Sequence, residues 1–149
     1  MRILLLSLFI FCTGCATLQQ GGRLSEHKKQ LNAAVDLSED PNQQIDILLS
    51  SLTSMMSESL DFIDPQQGLK FVNKYKQQNE KSIEKILGNL ESWMSGMSTV
   101  DKMSAVLGLV KEENVQQFIA LVPKFESKYK QIQFFSKISN RMKGLFFGS

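Results

Sequence analysis

Apolar residues recur at spacings of three and four along most of the chain, and no stretch of any length alternates apolar with polar as a half-buried strand does. The clearest run is Ile45, Leu48, Leu49, Leu52, Met55, Met56, Leu60 and Ile63. It predicts a helix over 41–63 whose opposite face, Ser50, Thr53, Ser54, Ser57 and Asp61, is small and polar. Leu69, Val72, Tyr75, Ile83, Ile86, Leu87, Leu90, Trp93, Met94 and Met97 form a second stripe, predicting a long helix from Pro65 to about Gly96, with Gly88 a place for a bend. A weaker stripe, Leu24, Leu31, Ala34 and Val35, predicts a first helix over 25–37.

The starts of these helices are written locally. Asp40-Pro41-Asn42-Gln43 and Asp64-Pro65-Gln66-Gln67 each place a carboxylate over free backbone N–H groups, a proline at the first helical position and a glutamine three residues after the aspartate. Ser98-Thr99-Val100-Asp101 is another capping box; it opens a short helix through Val110, with Val100, Met103, Val106, Leu107 and Val110 expected inside. Met94, Met97 and Met103 meet at the corner before that helix, as core filler or as an adaptable groove. Lys111-Glu112-Glu113-Asn114 reads as a polar break, and Asn114 caps a helix over 115–122 that Pro123 kinks or restarts. A last helix is expected over 124–143. The sum is an all-α protein: an up-and-down bundle of five or six helices.

Ahead of the bundle lies a different kind of segment. Arg2 precedes Ile3-Leu4-Leu5-Leu6-Ser7-Leu8-Phe9-Ile10-Phe11, and Cys12-Thr13-Gly14-Cys15 follows. One positive charge, a short apolar core and a small-residue exit make a secretory signal, too short for the roughly 20 apolar residues of a spanning helix. Thr13-Gly14-Cys15 resembles the lipobox of bacterial lipoproteins, a likeness confined to residues 1–16; the usual leucine three before the acceptor is replaced by Cys12. The resemblance implies cleavage before Cys15 and acylation of Cys15, which would tie the chain to a membrane. By that class's sorting rule for Gram-negative envelopes, Ala16 rather than aspartate after the cysteine implies the outer membrane, periplasmic or surface face alike. Three parts are therefore expected: a signal peptide over 1–14, a lipidated Cys15 with a flexible tether through 23, where Gly21-Gly22 would break a helix, and a single helical domain over 24–149.

Charge changes the picture only at the far end. The formal net charge is +2, and loss of Arg2 leaves +1, which gives no support to nucleic-acid binding. Residues 114–149, however, carry +5 and residues 16–113 carry −4, and the same last segment holds six of the ten phenylalanines. Read as one helix, Phe125, Tyr129, Ile132, Phe134, Phe135, Ile138, Met142, Leu145 and Phe146 cover an arc of roughly 220° at about 100° per residue. An ordinary one-sided helix needs about half of that. Lys124, Lys128 and Lys143 fall inside the arc and would have to snorkel. Three readings follow: a central bundle helix with its basic edge against acidic helices, a helix that docks a partner, or a helix on a membrane surface. The candidate contact residues are Lys130, Phe134, Lys137, Arg141, Leu145, Phe146 and Phe147.

Catalytic chemistry finds little support. His27 is the sole histidine and lies in the polar run Ser25-Glu26-His27-Lys28-Lys29. With Cys12 removed and Cys15 acylated, no thiol or second histidine is left for a zinc site or a disulfide. A histidine-based triad would need His27 beside a serine and a carboxylate, and no nucleophile elbow or phosphate loop occurs. Ser25-x-x-Lys28 matches the spacing of penicillin-interacting enzymes but without its companion motifs, and Ser25 reads as a helix cap. Neither catalytic residue, cofactor nor metal is expected. The sequence points to a non-enzymatic, membrane-anchored lipoprotein of the cell envelope with a protein-binding or assembly role, by analogy with pilotins and other accessory lipoproteins. Two other roles fit the same pattern: carriage of an apolar ligand or lipid in an interhelical cleft, and envelope exclusion or immunity.

Overall fold

The computed structural model describes residues 15–110 and 113–147, and every regular element among them is an α-helix. In chain order these are α1 (Cys15–Val35), α2 (Pro41–Leu60), α3 (Pro65–Ser95), α4 (Thr99–Val110), α5 (Glu113–Lys128) and α6 (Gln133–Phe147). The signal segment 1–14 and the break at Lys111-Glu112 lie outside the described residues.

The helix starts form as their residues dictate. Asp40 accepts the N–H of Gln43 at 3.2 Å and Asp64 that of Gln66 at 2.9 Å, each with proline opening the helix. At α4 the N–H of Asp101 donates to Ser98 Oγ (3.2 Å) while the Ser98 hydroxyl donates to the Asp101 carboxylate (2.9 Å). Short connections reverse the chain between α1, α2 and α3, which pack on one another. The fifth helix lies on α2, and α6 lies against α3 and α4. Ile45, Leu48, Leu49, Leu52, Met55 and Met56 of α2 face Phe71, Val72, Tyr75, Ile83, Ile86 and Leu87 of α3 in one buried core.

The end of α2 is closed by a distant element. Its last carbonyls have no partner within the helix and carry the negative end of the helix dipole. Lys128, at the end of α5, donates to the carbonyls of Leu60 (3.1 Å) and Phe62 (2.7 Å), and the Tyr129 hydroxyl donates to that of Ser59 at 2.6 Å. Tyr129 reaches this position across Gly68 of α3, where an added Cβ would lie 1.9 Å from its hydroxyl oxygen. Only glycine leaves room. Lys128 is thus held as a cap rather than snorkelling from an apolar face.

Four features differ from the sequence expectation. First, α1 begins at Cys15, not Ser25, and continues through Gly21-Gly22; each glycine costs a helix about 1 kcal/mol relative to alanine, which disfavours a turn without forbidding it. Second, α2 stops at Leu60, so Ile63 leaves the apolar stripe and stands on the surface. Third, α5 runs unbroken through Pro123. The lost bond falls opposite the carbonyl of Ile119, a surface residue of that helix. Fourth, the expected last helix over 124–143 is two helices, α5 and α6, separated at Tyr129-Lys130-Gln131-Ile132, where the N–H of Ile132 turns back to the carbonyl of Tyr129 (3.1 Å).

That fourth difference removes the wide arc. Taken alone, α6 gathers Phe134, Leu145, Ile138, Met142 and Phe135 within about 100° of the helix wheel, an ordinary one-sided helix. The aromatic residues meet inside. Phe135 lies edge-on to Phe125 (centroids 4.8 Å, 62°) and to Phe134 (5.2 Å, 86°), and Phe125 sits 5.2 Å from Tyr129.

Candidate functional site

Four of the residues picked out from the sequence, Phe134, Lys137, Arg141 and Leu145, lie on successive turns of α6, and Lys130 lies in the turn before it. Phe134 and Leu145 are each only 8% exposed and belong to the core. Arg141 donates through Nε to Glu91 at 2.9 Å and through a terminal nitrogen to Glu84 at 2.5 Å, both on α3. Arg141 of one bundle helix is thus paired with two glutamates of another. Lys130 and Lys137 are exposed, and Lys137 shares its helix with the aromatic core. The side chains of Phe146 and Phe147 lie outside the described residues. Among these five no basic-aromatic surface is open, because the fold buries Phe134 and Leu145 and pairs Arg141.

The exposed apolar surface lies elsewhere. Val100 is 72% and Met103 62% exposed, whereas both were expected inside. They stand one turn apart on α4, which packs on α5 and α6, and both side chains are left open among the described residues. Trp93, Met94 and Met97, at the end of α3 and in the turn into α4, are half-buried. The α3–α4 corner therefore presents an exposed thioether and a valine, with a half-buried indole and two half-buried thioethers nearby in the chain. Adaptable thioethers beside an aromatic ring are a recurrent composition of protein-contact surfaces.

The second feature is a buried polar cluster that the sequence pattern did not single out. His27 of α1, Ser51 of α2 and Tyr75 of α3 meet between the three helices. Ser51 Oγ is 3.0 Å from His27 Nδ1 and 2.7 Å from the Tyr75 hydroxyl, and His27 Nε2 is 3.9 Å from the Glu58 carboxylate. Two of these contacts are hydrogen bonds, Ser51 with His27 and Ser51 with Tyr75, and the Glu58 carboxylate adds a longer electrostatic contact to the ring. The Tyr75 and His27 rings meet edge to face at 5.4 Å. Burial pushes the Tyr75 phenol well above its ordinary value of 10.0. The Ser51 hydrogen bond opposes that rise, and the Glu58 charge adds to it. A signal for His27 did exist: with Leu24, Leu31 and Ala34 it shares one face at spacings of three and four.

Serine, histidine and carboxylate thus do come together, but not as a nucleophilic site. Ser51 is 1% exposed, its hydroxyl is held on one side by Tyr75 and on the other by His27, and no substrate carbonyl can approach it. The cluster's evident work is to register α1 against α2 and α3. Other buried polar ties do the same: Gln44 donates to the carbonyl of Ala34 (2.9 Å), and Ser82 to Asn32 (2.6 Å). Among the described residues no three of His, Cys, Asp and Glu gather as metal ligands, and no helix is long and apolar enough to cross a membrane. No family model, curated protein or solved structure matches the chain.

Proposed function

We propose that this chain is a lipid-anchored bacterial envelope protein that works by binding rather than catalysis, holding a helical domain at the outer membrane to engage another envelope protein. The anchor rests on sequence: Arg2, the apolar run to Phe11, and Thr13-Gly14-Cys15. The observation that carries the binding role is the α3–α4 corner, where Val100 and Met103 are exposed although their helix is otherwise rich in apolar residues. The sequestered Ser51 fits a structural polar cluster better than a catalytic one. The contact surface is thereby moved from the C-terminal segment to the corner.

Two experiments test the two halves. Cys15→Ser should shift the protein from the membrane fraction to the soluble fraction; retention in the membrane as an uncleaved precursor would overturn the anchor. A photo-crosslinking residue placed at Met103 in the native envelope should give one defined adduct, and one placed at Lys137 should not. The reverse pattern would return the contact to the last helix.

A further inference from the structure

The contact of His27, Ser51 and Tyr75 fixes how α1, α2 and α3 lie lengthwise. The first two run antiparallel, since Gln44 meets Ala34 where Ser51 meets His27. The first and third run parallel, since Ser82 meets Asn32 one level further along than Tyr75 meets His27. From the level of that contact, Cys15 lies twelve residues back along α1, Leu60 nine residues on along α2, and Pro65 ten residues back along α3. At 1.5 Å per residue these are about 18, 14 and 15 Å in one direction. The start of α1 and the α2–α3 turn are therefore close to level at one end of the molecule. Lys128 and Tyr129 bring the 129–132 turn to the same end through their bonds to the carbonyls of Phe62 and Ser59.

What this end exposes suits the surface of a bilayer. Ile63, in the α2–α3 turn, is 100% exposed, the most open large apolar side chain among the described residues. Phe62 beside it is half-buried, and Lys130 in the neighbouring turn is exposed. An apolar tip enters the boundary between headgroups and acyl chains, while a lysine keeps its stem in apolar surroundings and its charge among phosphates. Asp61 and Asp64 flank Ile63, so the contact is a shallow apolar one rather than a basic patch. The reason for a membrane at this end is the anchor. The first helix is continuous from Cys15, so acyl chains on Cys15 would enter the bilayer here with no irregular segment between lipid and bundle.

We propose that the domain stands on the membrane through the α2–α3 turn, with Ile63 in the headgroup–acyl boundary and Lys130 at the lipid phosphates. The inference rests on the lipid anchor and adds an orientation to it. The other end of α3, Ser95, is about 45 Å from Pro65 at the same rise, so this orientation holds the α3–α4 corner away from the bilayer, open to a partner. The test uses the acylated protein in vesicles of phosphatidylethanolamine with a minor share of phosphatidylglycerol. Cleavage removes Cys12 and acylation occupies Cys15, so a cysteine introduced by Ile63→Cys, Lys130→Cys or Met103→Cys takes a thiol-reactive fluorophore alone. Spin-labelled lipid should quench the label at position 63 about twofold or more, that at 130 less, and that at 103 not at all. Adding Ile63→Asp should reduce the quenching at 130; unchanged quenching there would overturn the role given to Ile63. Flotation with the vesicles reports the anchor separately. Protein that floats with position 63 unquenched, or with position 103 quenched as strongly, would overturn the orientation and leave the anchor standing. Protein that does not float would overturn both.

Discussion

Two apolar stretches of this chain trade places between sequence and structure. The C-terminal stretch from Phe125 to Leu145 has too much apolar surface for one helix, yet its described members are buried. The α4 stretch beginning at Val100 has the pattern of a core helix, yet Val100 and Met103 face outward. What separates them is boundary and position. A four-residue turn splits the first into two helices, each with its own narrow stripe against the bundle. The second packs on α5 and α6, and the side that carries Val100 and Met103 is left open among the described residues. The width of an apolar arc therefore reports burial only once the helix ends are known, and an apolar stripe reports a partner without saying whether the chain itself supplies it.

The largest effect that would break this contrast comes from its buried side. Phe135 touches Phe125, Phe134 and Tyr75, so Phe135→Ala should cost about 3–5 kcal/mol in urea unfolding. A surface aromatic would cost under about 0.5 kcal/mol. Next comes the turn itself. Gly68→Ala drives a methyl into the Tyr129 hydroxyl and should cost about 1–3 kcal/mol by overpacking. Tyr129→Phe added to it should recover part of that loss, since the closest atom is removed; no recovery would mean that Tyr129 does not sit over Gly68.

A smaller effect appears with alkali. Tyr75 and Tyr129 both hold their phenolic protons more tightly when folded, because burial disfavours the anion. Their contribution is complete below the ordinary value of 10.0 and declines as pH rises above it, by up to about 1.4 kcal/mol per pH unit for each group. The fall in unfolding free energy between pH 9 and 11.5 should be shallower in Tyr75→Phe, whatever its stability at neutral pH. The smallest effect belongs to the corner: Val100→Ser with Met103→Ser should change stability by less than about 0.5 kcal/mol per site. A loss of several kcal/mol would place both side chains in the core.

Much of the fold was legible in the sequence because its signals are local. The two Asp-Pro pairs and the Ser98–Asp101 box act within one turn of their helices, and the α2 and α3 stripes follow from period alone. The break at residues 129–132 was not legible, since Tyr129-Lys130-Gln131-Ile132 contains neither glycine nor proline. Its partners are distant: the Ser59 carbonyl, the Leu60 and Phe62 carbonyls held by Lys128, and the gap over Gly68. For the same reason Lys128 read as a misplaced cation rather than a cap. The polar cluster was half legible, as His27 lies in register with Leu24 and Leu31, but its partners Ser51 and Tyr75 are each 24 residues from the next.

Methionine oxidation tests the contrast most directly, since both regions carry a methionine. Met103 is 62% exposed on α4, and Met142, in the C-terminal stretch, is fully buried. Under brief treatment of the native protein with hydrogen peroxide, followed by digestion and mass spectrometry, Met103 should become sulfoxide at a rate close to that of a free peptide while Met142 is protected at least tenfold. Equal oxidation of the two, or faster oxidation of Met142, would contradict the account, for it would put the aromatic C-terminal stretch on the surface and the α3–α4 corner inside.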